Sequence, residues 1–233
     1  MSVAIIADCH LGGPGGDAGP LLEQLEALPD RGCRHLVLMG DIFHIWVGKR
    51  SFETDLIRRV IHAFETLRGR GVRIDYIEGN RDFFIAKGPY AKAFDTVALE
   101  VDFEAGGKRY LAVHGDGLND RDRQYLFWRW LSKSLPVRWA ISILPPPIAR
   151  HFMVSTEARL AETNFKHKAE IPKEAILRYG ERRLSEGYDV LLLGHFHESR
   201  VWSAGSGEVH ILDAWFNHHH IEWLGTVPAP GAG

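Results

Sequence analysis

Cysteine is scarce in this sequence of 233 residues: Cys9 and Cys33 are the only two, with no C-x-x-C spacing between them. That argues against a disulfide framework and suits a reducing compartment. Long apolar runs are missing as well. No stretch approaches the roughly 20 apolar residues that a bilayer span requires. The apolar start, residues 1–7, is ended by Asp8 and His10, far short of a signal-peptide core with its cleavage site. An excess of one charge is also absent. The formal net charge is −2, so no global basic field points to nucleic acid. No internal repeat is visible. The chain is expected to be soluble, or at most to lie on a membrane surface.

What is present reads as an α/β pattern, in a length that suits one domain. Residues 3–7, 35–39, 72–77, 110–113 and 189–193 are short apolar runs of the kind expected for buried strands. Residues 20–28, 52–68 and 172–186 carry helical patterns, the last with Pro172 near its start and Gly187 just past its end. After Gly194, segments 199–202, 208–212 and 219–224 alternate and are split by turn residues, so antiparallel strands are expected there. The Pro/Gly-rich tail 226–233 is expected to be disordered.

Between Asn119 and Glu170 the chain spends 52 residues where a short crossover would suffice. This stretch holds Tyr125, Phe127, Trp128, Trp130 and Trp139, and nine Lys/Arg against five Asp/Glu. An excursion this long is usually functional, and 119–170 is read as an inserted helical lid. The plainer alternative is a helical pair that completes the core. Arg121, Arg123, Arg129, Lys133, Arg138 and Arg150 are either a solvated face or a contact for anionic lipid headgroups.

Five segments place oxygen and nitrogen ligands directly after expected strands: Asp8-Cys9-His10, Gly40-Asp41, Gly79-Asn80-Arg81-Asp82, His114-Gly115-Asp116 and Gly194-His195-Phe196-His197. In open α/β sheets ligands collect at the carboxyl ends of strands. A lone Gly-Asp is usually a turn, and a lone histidine is usually a satisfied core or surface residue. Five such segments at five strand ends point to a site. If the backbone is extended, residues i and i+2 share a direction, so Asp8 with His10, and His195 with His197, are expected to reach one cleft. The glycines at 40, 79, 115 and 194 are expected to make the sharp turns. Carboxylate, amide and imidazole together suit borderline divalent ions such as Mn²⁺, Fe²⁺ or Zn²⁺.

These segments resemble the five blocks of the calcineurin-like metallophosphoesterases, from Val3 to about Leu212. The resemblance implies a double β-sheet sandwich flanked by helices and a centre of two divalent metals, which together clamp a phosphoryl group. It implies that Asp8, His10, Asp41 and His197 hold one ion and Asp41, Asn80, His114 and His195 the other, with Asp41 bridging. Where many members have a histidine after Gly-Asn, this chain has Arg81. Arginine stays protonated, so Arg81 is read as a clamp on phosphate charge, not a proton donor. Gly79-Asn80-Arg81-Asp82-Phe83, Leu38-Met39-Gly40-Asp41-Ile42-Phe43, Trp46-Val47-Gly48 and Leu212-Asp213-Ala214-Trp215 look like the UDP-2,3-diacylglucosamine pyrophosphatases of lipid A synthesis. That likeness implies cleavage of UDP-2,3-diacylglucosamine to UMP and a lipid monophosphate, with two ions, Mn²⁺ foremost. It also implies work at the cytoplasmic face of the inner membrane, peripherally attached. By position it makes Arg81, His114 and His195 catalytic, and Asn80, Arg81, Asp122, Asn164, Lys168 (or Lys166) and His195 substrate contacts.

Other residues have plainer readings. Asp82 and Asp116 are expected to orient histidine tautomers behind the ligands, Cys9 to point into the core, and 218–220, all histidine, to lie on an ordinary strand face. Two rival functions keep the fold: hydrolysis of another nucleotide diphosphate or phosphodiester, and a catalytically dead scaffold. The occupancy of all seven ligand positions disfavours the second.

Overall fold

Ten of the twelve described strands stack into two five-stranded sheets and the other two pair with each other, as a computed structural model shows for residues 2–14, 16–145, 147, 148, 155 and 171–225. The expectations for 226–233, Arg150, Asn164, Lys166 and Lys168 lie outside these described residues. In chain order the elements are β1 (Val3–Ile6), α1 (Gly19–Ala27), β2 (His35–Leu38), β3 (Trp46–Val47), α2 (Asp55–Gly69), β4 (Arg73–Ile77) and β5 (Asp82–Phe83). There follow β6 (Thr96–Ala98), β7 (Glu100–Ala105), β8 (Lys108–Val113), α3 (Arg123–Ser132), α4 (Leu135–Ile143), α5 (Lys173–Leu184) and β9 (Val190–Leu193). The described chain ends with β10 (Arg200–Ala204), β11 (Gly207–Ile211), α6 (Trp215–His218) and β12 (Glu222–Leu224).

One sheet has the order β12-β1-β2-β4-β6, parallel except for β12; the other has β10-β11-β9-β8-β7, parallel through β11-β9-β8 with antiparallel edges. The central strands β1, β2, β4, β8 and β9 are mostly apolar because both of their faces are covered, whereas edge strands such as β7 and β10 carry exposed residues. Val3, Ile5, Val37, Met39 and Ile77 meet Val101, Phe103, Ala112, Val190 and Leu192 between the sheets. Their alternate neighbours Ala4, Ile6, Leu36, Leu38 and Ile74 pack outward against Leu21, Leu25, Val60 and Phe64 of α1 and α2. On the far side Leu111, Leu191, Leu193 and Val209 pack under Ile176 and Leu184 of α5. The result is a helix–sheet–sheet–helix sandwich, with α3 and α4 added beside it.

The three helices and five buried strands fall where the sequence places them, to within a few residues. Segment 219–224 forms its expected antiparallel strand only over Glu222–Leu224, paired with β1. Trp215–His218 is a short helix ended by His219 at φ 52°, so 218–220 is a helix end and a loop instead of a strand face. Cys9 and Cys33 are both free and buried.

Candidate metal centre

The ligand-bearing segments leave β1, β2, β4, β8 and β9, and their side chains meet at one edge of the sandwich. The pairs do not converge by extended geometry, as the i, i+2 argument expects. Asp8, His10, Asp41, His195 and His197 all take positive φ, from 49° to 64°. Each left-handed non-glycine residue costs roughly 1–2 kcal/mol; here that strain is gathered at one site. Nor do all four glycines act as turns. Gly40 and Gly115 do have positive φ, whereas Gly79 and Gly194 are there for space. A Cβ on Gly79 would stand 2.3 Å from Asp41 Oδ1, and one on Gly194 would stand 2.9 Å from Asp8 Oδ2.

Asp8, His10 and His197 offer donor atoms within 4.8 Å of one another, and so do Asp8, Asp41 and His114. Asp41 Oδ2 lies 3.7 Å from His10 Nε2 and 3.6 Å from His114 Nε2, between the two histidines. Asn80 Oδ1 is 3.1 Å from His114 Nε2, and the His195 ring centroid is 5.3 Å from that of His114. All seven expected ligands are therefore neighbours. Asp8 is fully buried and Asp41 nearly so. Burial opposes ionisation of Asp8, yet the nearby His10 and His197 imidazoles hold its carboxyl well below the usual range. Burial likewise acts against the His114 charge and the His10 contact at Asp41, whose pKa falls to about 2. Buried His10 Nε2, facing both carboxylates, has no hydrogen-bond partner. Two buried anions around an orphaned imidazole nitrogen are what divalent cations would satisfy, and the oxygen and nitrogen donor set fits them.

The surrounding contacts correct two expectations. Asp82 orients no histidine: its Oδ2 accepts the amides of Asp41 at 3.0 Å and Gly79 at 2.8 Å, tying two ligand loops together. Burial and the adjacent Asp41 charge raise its pKa to about 7. Asp116 instead pairs with Arg129 of α3 through both oxygens and accepts Tyr125 Oη at 3.1 Å. The tautomer of His114 is set by the carbonyl of Met39, 2.7 Å from Nδ1. Lys133 Nζ donates to the carbonyl of Gly79 at 2.5 Å, directly before Asn80. Thus Arg129 and Lys133 face the site and leave the expected basic face, whereas Arg121 stays on the solvated surface in an ion pair with Glu174. Asp122 is buried, and its Oδ1 caps α3 by accepting the Tyr125 amide at 2.9 Å.

Arg81 lies over the centre. Its amide donates to Asp41 Oδ1 at 2.8 Å, its Nε is 3.6 Å from Asp41 Oδ2, and its Nη1 donates to the His44 carbonyl at 3.1 Å. Sequence reasoning missed His44 and also Phe216, whose ring centroid is 5.1 Å from those of both His10 and His197. The Leu212–Trp215 motif stops one residue short of it.

Residues 1–199 match the family described as calcineurin-like phosphoesterase. The chain belongs to that family. It is accordingly a metal-dependent phosphoesterase, of a family that uses a dinuclear centre of divalent ions. Among known proteins it is similar to a UDP-2,3-diacylglucosamine hydrolase of Ralstonia nicotianae, 28% identical over 93% of this chain and 85% of that protein. It is also similar to one of Chromohalobacter salexigens, 30% identical over 86% of this chain and 82% of that one. Among solved structures, an archaeal phosphodiesterase aligns over 94% of this chain and 87% of its own, at 16% identity and a TM-score of 0.46.

Proposed function

We propose that this phosphoesterase hydrolyses the pyrophosphate of UDP-2,3-diacylglucosamine, giving UMP and 2,3-diacylglucosamine 1-phosphate. The names of its relatives support this reading, and one observation carries it beyond them. An apolar helix pair is anchored directly on the ligand loops. In it Phe127 is 54% exposed, Trp130 65% and Trp139 67%, while α3 is bolted to Asp116 and Gly79. A polar nucleotide has no use for such a surface, but acyl chains do. Residues 119–170 then act as a lid over the lipid, with Asn164 and Lys168 as its contacts to the sugar phosphate.

When bound, the two ions, Mn²⁺ in this reading, supply positive charge to the phosphoryl oxygens and acidify the attacking water. The chain's own residues do the rest. Asp8, His10, Asp41 and His197 would hold one ion, and Asp41, Asn80, His114 and His195 the other. Asn80, His195 and Arg81 contact the phosphoryl oxygens, and Arg81 adds a fixed positive charge where negative charge develops. No helix among the described residues is long and apolar enough to cross a membrane. The lipid is reached from the cytoplasmic side of the inner membrane by surface contact. Release of UMP from UDP-2,3-diacylglucosamine by the Mn²⁺-loaded protein tests the proposal. Equal turnover of UDP-glucosamine lacking acyl chains would reject it.

A further inference from the structure

The two ends of the candidate centre are flanked by different surfaces. Near His114 and Asn80 stands α3, joined to Asp116 and to the carbonyl of Gly79. Near His10 and His197 stands Phe216, on the other side of Asp8 and Asp41. Phe216 is 38% exposed although its ring lies 5.1 Å from His10 and tilted by only 32° to it. One face thus leans on an imidazole, and part of the ring is left to solvent.

The ring is also held in place. The amide of Trp215 donates to the Ala7 carbonyl at 2.8 Å, and Trp215 Nε1 donates to Gln24 Oε1 at 3.0 Å. On the other side Asn217 Nδ2 donates to the His197 carbonyl at 3.2 Å and to Asp213 Oδ1 at 2.7 Å. A large apolar ring fixed between two pinned neighbours, beside a phosphate-handling centre, is a preorganised stacking surface.

We propose that Phe216 is the platform on which the uracil of the nucleotide substrate stacks. This rests on the nucleotide-linked lipid reading above. The acyl chains then lie under α3 at one end of the centre, and the nucleoside lies over Phe216 at the other. The pyrophosphate spans the ions between them.

The test is equilibrium binding of UMP and of ribose 5-phosphate to the Mn²⁺-loaded protein, with metal content measured in each variant. Ribose 5-phosphate carries the same phosphate without the base. Stacking of one base on an aromatic ring corresponds to about a five- to hundredfold preference for UMP. Phe216→Ala should reduce that preference to within about twofold, and Phe216→Trp should keep it. Phe216→Leu preserves an apolar body against His10 and His197 but has no aromatic face; it too should lose the preference while retaining both ions. The proposal falls if the unaltered protein binds both ligands equally, or if the Leu variant keeps the UMP preference. It falls equally if the variants weaken both ligands alike, since Phe216 would then only support the histidines. A retained UMP preference in a protein that fails to cleave UDP-2,3-diacylglucosamine would reject the lipid reading and leave the platform standing.

Discussion

Asp41 is the most connected side chain of the centre. One oxygen takes the Arg81 amide and the other stands within 3.7 Å of His10 Nε2, His114 Nε2 and Arg81 Nε. Asp41→Ala should therefore lose metal from both positions and cut activity about a thousandfold or more, roughly 4 kcal/mol of charge stabilisation. Elemental analysis that still found two ions in the variant would contradict bridging. Arg81→Ala should behave differently. The backbone amide that holds Asp41 survives, so both ions should remain, while kcat falls by about 10²–10³-fold, as for loss of one donor at developing charge. Unchanged kcat at full metal occupancy would refute the clamp. The residues gathered at the centre were legible as candidates because strand ends gather side chains, while their assignment as ligands came from the family resemblance. The roles of Asp82 and Asp116 were not legible. Adjacency to a ligand does not say where a carboxylate points: Asp82 turns to the amides of Gly79 and of Asp41 on another strand end, and Asp116 to Tyr125 and Arg129 of α3.

At the scale of elements, the union of α3 with the β8 loop makes the clearest prediction. Asp116 is buried against a largely buried Arg129, whose charge holds its carboxyl well below the usual range against the effect of burial. Removing one partner of such a pair costs about 3–5 kcal/mol. Asp116→Asn should therefore lower Tm by about 6–20 °C in a chain of this size. A variant with unchanged Tm but altered metal affinity would restore Asp116 as a histidine-orienting group. A second pair lies between β2 and β4. His35 Nε2 is 2.8 Å from Asp75 Oδ2, both fully buried, with Arg73 beside them. Against the effect of burial, hydrogen bonds with His35 and Arg73 depress the Asp75 pKa. A depressed carboxyl stabilises the fold above its unfolded pKa of about 3.9 and loses that contribution as pH falls through the folded value. Stability should therefore drop below pH ~4, and urea titrations of Asp75→Asn should show a shallower acid limb. Strands buried on both faces were legible as apolar runs. β7 was missed, although its Glu100, Asp102 and Glu104 alternate with Val101, Phe103 and Ala105, because one face looks to solvent and no run forms. β3 and β5, two residues each, are too short to leave a pattern.

For the whole molecule, the question is why a sandwich that already covers both sheets carries an apolar helix pair beside its centre. Leu135, Trp139 and Ile143 of α4 are more than half exposed, as are Phe127 and Trp130 of α3, and the Phe127 ring meets Trp128 at 5.7 Å and Trp130 at 6.2 Å. Left bare, such a patch is a liability. Covered by acyl chains, each buried CH₂ contributes about 0.8 kcal/mol, or about fourfold in kcat/KM when the contact is made in the transition state. Substrates with longer acyl chains should accordingly be cleaved with higher kcat/KM until the surface is filled. Replacing Phe127 and Trp130 together by alanine should flatten that dependence and impair the lipid substrate far more than a small chromogenic phosphodiester. Neither side chain carries the contacts that fix α3: those come from Tyr125, Arg129 and Lys133. The helix should therefore stay docked, and Tm should change little. An equal loss on both substrates would mean that the variant had disturbed the metal loops, and the acyl-chain series in the unaltered protein would then decide. Rates that do not vary with chain length would remove the lipid from the lid, and the phosphoesterase centre would need another substrate to explain Phe127, Trp130 and Trp139.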